Sequence, residues 1–329
     1  MVVEVEPFLR QIFTNMAKIS RPRYGSLQYW PRKRVERAMP RVNWDAVSRH
    51  AKYEGILGLI AYKVGMATAL VRDKTEKSMT QNKKIALPVT ILEVPKFRIF
   101  SIRFYNKGKI VNDLIVSNDD SLKPILKVPK KIHDIQEPKE WDEVRVLVYS
   151  VMKGMFKKTP NVAEIVVRGS KPLEFVKTHV GKELSIKDIP NLGMIDARGI
   201  TRGKGLVGPV KRFGISLKSH KSEKGVRRPG SLGPWHPARV TFRTPMAGQL
   251  GMFSRIQYNL IVLSSGSVGE GAIITPKMPF NRYGMLANDY LIVAGSVQGP
   301  PKREILLTPA LRPTKKQLKR KYELMELKI

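Results

Sequence analysis

Gly203-x-Gly205-x-x-Gly208 has the spacing of a loop that brings backbone N–H groups up to a phosphate. That spacing performs dinucleotide chemistry only where a helix begins at the last glycine and an acid follows about twenty residues on to hold a ribose. Here Pro209, Lys211 and Arg212 follow, Gly214 comes soon after with no apolar helical face, and the first acid is Glu223. A Walker loop fails as well, because Gly205 stands after Lys204 where Ser or Thr must hold magnesium. The absence of Cys excludes disulfides, thiolate zinc sites and thiol nucleophiles. His50, His133, His179, His220 and His236 do not pair at metal-ligand spacing, no serine sits in a G-x-S-x-G elbow, and no two acids are placed for acid–base work. What remains for the Gly203 loop is close backbone approach to phosphates with Lys204 beside it. No enzyme, metal, cofactor or small-molecule substrate is expected.

The loop belongs to a longer basic stretch, Arg198 to Arg243, with twelve Lys and Arg residues and Glu223 as its one acid. It lacks sustained helical or strand periodicity and is punctuated by Gly and Pro. Such a segment repels itself and hides little apolar area, so it is expected to take its shape on a polyanion. Its candidate RNA contacts are Arg202, Lys204, Lys211, Arg212, Lys218, Lys221, Lys224, Arg227, Arg228, Arg239 and Arg243, with His220 and His236 able to hydrogen-bond phosphate or ribose. Trp235, between Pro234 and Pro237's neighbour His236, has no element of its own to pack against and is expected to present its indole to RNA. The same recipe recurs near the N-terminus. There Arg23, Arg32, Lys33 and Arg34 surround Tyr29 and Trp30, which reads as a second arm with stacking residues.

These arms need a body. The chain has 329 residues, 42% of them hydrophobic, and a formal charge of +33, which is enough for one sizeable core and calls for a strongly anionic partner. Lys63 interrupts the best apolar run, Ile56–Val71, so no membrane span is expected, and the start lacks the pattern of a secretory signal; an intracellular protein is expected. Strands are expected at Gly55–Val71 (two, with a tight turn), Leu87–Val94, Phe97–Tyr105, Val144–Val151, Val162–Val167, Tyr258–Leu263, Ala272–Pro276, Tyr290–Val297 and Glu304–Thr308. A short helix is expected over Glu174–Gly181, and an amphipathic one over Thr314–Ile329 with Leu318, Tyr322, Met325 and Ile329 on one face. The pattern predicts a mainly β protein, a barrel or sandwich, with an inserted α+β unit and long irregular extensions. The expected division is an N-terminal extension (1–50), the first part of the barrel (51–115), the α+β insert (116–192), the basic extension (193–254), and the rest of the barrel with a C-terminal helix (255–329). Two rivals stay open on residues alone: an RNA-modifying or assembly factor using the Gly203 loop, and a DNA-compacting protein.

The segments G-I-T-R-G-K-G-L-V-G-P-V-K-R-F-G, R-R-P-G-S-L-G-P-W-H-P-A-R-V and M-A-G-Q-L-G, with the N-terminal R-Y-G-S-L-Q-Y-W-P-R-K-R, resemble the signature of the universal large-subunit ribosomal protein L three family. The G-P-W-H-P tip looks like the archaeal and eukaryotic branch. The resemblance implies a closed translation-protein β-barrel in the cytoplasmic ribosome, binding near the 3′ end of 23S rRNA and nucleating assembly of the 50S subunit. It also implies an extension reaching toward the peptidyl transferase centre, and proteins L fourteen and L twenty-four e as neighbours. Glu223 stands where eukaryotic members carry a modified histidine, so that modification is not carried over.

Overall fold

The computed structural model describes residues 23, 25–51, 53–130, 132, 135–189, 193–268, 273–274 and 279–328. The chain divides into two units, Met1–Lys33 and Arg34–Ile329. The larger unit is mainly β. Its strands are β1 (Gly55–Ile56), β2 (Leu59–Asp73), β3 (Lys84–Val94), β4 (Phe97–Asn106), β5 (Lys109–Ile115), β6 (Glu143–Ser150) and β7 (Val162–Arg168), followed by β8 (Met194–Ile200), β9 (Gly205–Val207), β10 (Gly248–Leu250), β11 (Ser254–Gly266), β12 (Asp289–Ala294), β13 (Glu304–Pro309) and β14 (Tyr322–Lys328). The helices are short: α1 (Trp44–His50), α2 (Pro172–His179), α3 (Pro209–Phe213) and α4 (Lys315–Leu318).

Seven strands form one sheet in the order β13-β8-β11-β12-β3-β2-β14, and β13 also pairs with β2, as Glu304 against Tyr62 through Leu307 against Leu59. Each of the six strands other than β14 therefore has a neighbour on both sides. Five others form a second sheet in the order β1-β7-β6-β4-β5. Thus β4, within the 51–115 segment, pairs with β6 of the 116–192 segment, and β5 follows β4 into that sheet. Strands β4, β6, β7, β12 and β13 are rich in Val, Ile, Leu and aromatic residues and are largely buried. Ile60, Ile91, Ile195, Ile292 and Ile305 of the first sheet share one core with Ile102, Phe104, Val146 and Ile165 of the second. Trp44 and Val47 of α1 plug into the same core, and Asn43 caps that helix by accepting from the Ala46 N–H (3.2 Å). So part of the segment expected as an N-terminal extension is core.

Two buried charged groups, Lys63 and Glu93, are held by hydrogen bonds. Lys63 donates to the carbonyls of Val297 (2.5 Å) and Gly299 (3.1 Å), and burial lowers its pKa. Glu93 accepts from the Tyr283 hydroxyl, the N–H groups of Ala287 (3.0 Å) and Asn288 (2.9 Å), and the Asn288 amide (3.0 Å), which staples the 280–288 loop onto β3.

Two expected elements differ. Thr314–Ile329 is not one helix: α4 is a single turn, closed by a Thr314–Gln317 capping box, and β14 follows. The segment Y-E-L-M-E-L-K can alternate as well as it can wind. The outer edge of β2 offers backbone partners from Thr68 to Asp73, so pairing wins over an isolated short helix. A bulge at Leu324/Glu326 then keeps Tyr322, Leu324 and Leu327 packed against the core. Within the expected Ala272–Pro276 strand, Ile273 and Ile274 form a bend, with Ile274 buried; Ala272, Thr275 and Pro276 lie outside the described residues, as do His133 and Ile329.

Candidate nucleic-acid interface

The basic stretch begins inside the seven-stranded sheet. Arg198 and Ile200 are buried in β8, although the sequence placed Arg198 among the stretch's cations. Desolvation lowers the Arg198 pKa, and the Asp196 carboxylate opposes that shift. Asp196 is itself fully buried, accepting from the N–H groups of Asn259 (2.8 Å) and Leu311 (3.1 Å). Arg198 is thus a structural residue.

From Thr201 the chain leaves the sheet and returns at Phe253. Three backbone hydrogen bonds and a short ladder tie the limbs at the root: Thr201 N–H to Phe253 O (3.0 Å), Met252 N–H to Thr201 O (3.2 Å), Lys204 N–H to Leu250 O (2.9 Å), and the β9–β10 pairing. The Thr201 hydroxyl accepts from the Phe253 N–H (3.1 Å). Gly251 has φ +75°, and a Cβ there would sit 2.0 Å from the Arg202 carbonyl oxygen, so only glycine closes this neck. The neck is more ordered than the composition suggested. A helix does begin after Gly208, but it is the single turn α3, ended by Gly214 in the left-handed conformation, which is too short for the dinucleotide fold.

Beyond the neck, 215–245 has no helix or strand. Among the described residues its hydrogen bonds are local: Lys218 N–H to Val226 O, Ser222 N–H to Ser219 O, Thr244 N–H to Thr241 O, and the Thr244 hydroxyl to Leu232 O. Lys218, His220, Lys221, Lys224, Arg227, Arg228, His236, Arg239 and Arg243 are all exposed, and every residue from Ser231 to Arg243 is exposed. Trp235 is 87% exposed and Phe242 52%, with the Arg243 guanidinium 5.7 Å from the Phe242 ring centroid. Arg202, Lys204 and Lys211 are exposed on the neck. Arg212 differs: it is half-buried and donates from Nε to Gln249 O (3.1 Å) and from Nη1 to Met246 O (2.9 Å). Val35 N–H donates to Met252 O (3.0 Å), which sets exposed Arg34 beside the neck.

In the smaller unit a 3-10 turn, Gly25–Tyr29, leads into Trp30. Arg23 donates to the Trp30 carbonyl (3.4 Å), and the Arg32 guanidinium lies 5.7 Å from the indole centroid. Tyr29 is 55% exposed, Trp30 half-buried, and Arg23 and Lys33 exposed. Among the described residues, no three of His, Asp and Glu are grouped to hold a metal, and no helix is long and apolar enough to cross a membrane.

A β body, a tied neck and a solvent-facing excursion of cations and aromatics define a protein that displays an irregular basic arm. The profile of the family described as "Ribosomal protein L3" matches residues 15–112 and 120–328. Similar proteins are the "Large ribosomal subunit protein uL3" of Methanococcus vannielii, 40% identical over 90% of this chain and 93% of that protein, and its namesakes in Methanocaldococcus jannaschii (37%; 92% and 94%) and Archaeoglobus fulgidus (37%; 91% and 94%). The chain belongs to the ribosomal protein L3 family.

Proposed function

We propose that this protein is a structural, non-catalytic component of the large ribosomal subunit that binds 23S rRNA near its 3′ end and helps nucleate assembly, with its excursion directed toward the peptidyl transferase centre. Its family membership places it with large-subunit ribosomal proteins, whose partners are rRNA and other ribosomal proteins. The observation that carries the finer reading is the 215–245 excursion, whose cations and Trp235 are exposed to solvent. Arg202, Lys204, Lys211, Lys218, Lys221, Lys224, Arg227, Arg228, Arg239 and Arg243 would neutralise phosphates, and His220 and His236 would bond phosphate or ribose. Tyr29, Trp30 and Trp235 would stack on nucleotides, with Arg23, Arg32, Lys33 and Arg34 beside the first two in sequence.

The ring of pairings through β13 and β2 supports reading the larger sheet as the closed barrel. The five-stranded sheet with α2 would be the α+β unit, drawing in β4 and β5. Proteins L fourteen and L twenty-four e are the proposed protein neighbours. The test is the affinity for protein-free 23S rRNA as a function of salt. The logarithm of the binding constant should fall by about 0.7–0.9 per phosphate contact for each unit of log salt, and Arg227→Ala with Arg228→Ala should shallow that slope by about two contacts. A flat salt dependence would refute the reading, as would equal affinity for duplex DNA.

A further inference from the structure

We propose that Arg212 is the positioning residue of the excursion: its guanidinium bolts the two limbs of the neck together and is not spent on phosphate. The inference rests on the rRNA-binding reading only for what the excursion is aimed at. Arg212 stands on α3, a single turn held between Pro209, which is buried, and Gly214. From there it reaches 34 and 37 residues along the chain, to the carbonyls of Met246 (2.9 Å) and Gln249 (3.1 Å). Gln249 lies in β10, so one end of this link is anchored in the neck ladder.

Gly248 makes the link possible. A Cβ at that position would lie 2.7 Å from Nη1 of Arg212 and 2.8 Å from its Cζ, so the guanidinium occupies the space a side chain would take. Gly248 has no left-handed φ; it serves here by leaving room. The two acceptors lie on different residues, and a rigid planar fork meets both at once where a single ammonium has no fixed geometry for the pair. Among the described residues, the hydrogen bonds of 215–245 beyond Arg212 are internal to the excursion, so the direction in which Trp235 is presented is set at the neck. An unlocked neck would have to be ordered on binding, which weakens association without removing a phosphate contact.

The experiment uses the full chain with Arg212→Ala, Arg212→Lys and Gly248→Ala, and Arg227→Ala as the comparison for a phosphate contact. Amide exchange at Lys204 and across β9–β10 is read in the free protein; affinity and its salt slope are read on protein-free 23S rRNA. All three neck variants are expected to speed exchange at those amides about tenfold. They should also weaken binding about tenfold with the wild-type salt slope, while Arg227→Ala leaves exchange unchanged and shallows the slope by about 0.7–0.9. Arg212→Lys with wild-type exchange and affinity, together with a shallower slope for Arg212→Ala, would overturn the proposal and make Arg212 a phosphate contact. If the wild-type protein fails to bind the rRNA, the functional reading falls, and the exchange measured without RNA still decides whether Arg212 is the bolt.

Discussion

Trp235 shows how a side chain's surroundings decide its role. A tryptophan is among the largest apolar surfaces a chain can bury, yet this one stands 87% exposed in a run where every neighbour from Ser231 to Arg243 is exposed. Replacing it removes no packing, so Trp235→Ala should leave the thermal midpoint of the free protein within about 1–2 °C of wild type. The same change should weaken rRNA binding by about 1–3 kcal/mol if the indole stacks on a base. Calorimetry and a binding titration on the same preparation check both parts. A large fall in the midpoint would mean that the indole is core. The exposure of Trp235 was legible in the sequence, because its Gly- and Pro-rich neighbourhood offers nothing apolar to bury it. The fates of Arg198 and Arg212 were not. Both look like every other cation of the stretch, and only the fold shows one sealed in β8 and the other reaching to carbonyls of a limb more than thirty residues away.

Among elements, the β2–β3 connection depends on one carboxylate. Asp73, buried at the end of β2, accepts from the Thr75 N–H (2.8 Å), the Thr80 hydroxyl (2.6 Å) and the Ser78 hydroxyl (2.9 Å). Bonds from Thr75 and Thr80 hold its pKa well below the usual carboxylate range, and burial opposes them without prevailing. A depressed folded pKa means that this stabilisation is fully present above the unfolded value near 3.9 and is lost as pH falls through the folded one. Asp73→Asn should therefore destabilise the protein at neutral pH and flatten the part of the stability–pH curve below about pH 4; urea unfolding at pH 7 and pH 3 measures both, and an unchanged curve would refute the assignment. Apolar runs made β2, β3, β4, β6, β7 and β13 legible, because β-branched and aromatic enrichment with Gly and Pro at the flanks favours strands over buried helices. For β14 the local signal was ambiguous. Leu318, Tyr322 and Met325 fit a helical face, while Tyr322 and Leu324 fit an alternating one, and the exposed backbone of β2's edge, a tertiary fact, decided between them.

For the whole molecule, the excess charge of +33 is unevenly spread. The stretch 198–243 holds twelve cations to one acid, whereas 106–143, which includes β5 and the connection to β6, holds seven Lys and Arg to eight Asp and Glu. Several of these groups on the second sheet are already paired, as Arg103 is with Asp113 (2.7 Å) and Arg145 with Glu143 (2.8 Å) and Asp45 (2.9 Å). A polyanion is drawn to the first region and gains nothing from the second, since fields at the surface sum over neighbours within a Debye length of about 8–10 Å. Lysine acetylation of the protein with and without 23S rRNA should then protect Lys204, Lys211, Lys218, Lys221 and Lys224 by about tenfold on binding, and leave Lys107, Lys109, Lys123 and Lys139 as reactive as in the free protein. Protection spread evenly over both sets would mean that the rRNA wraps the second sheet as well, and that the asymmetry of charge does not orient the protein on its partner.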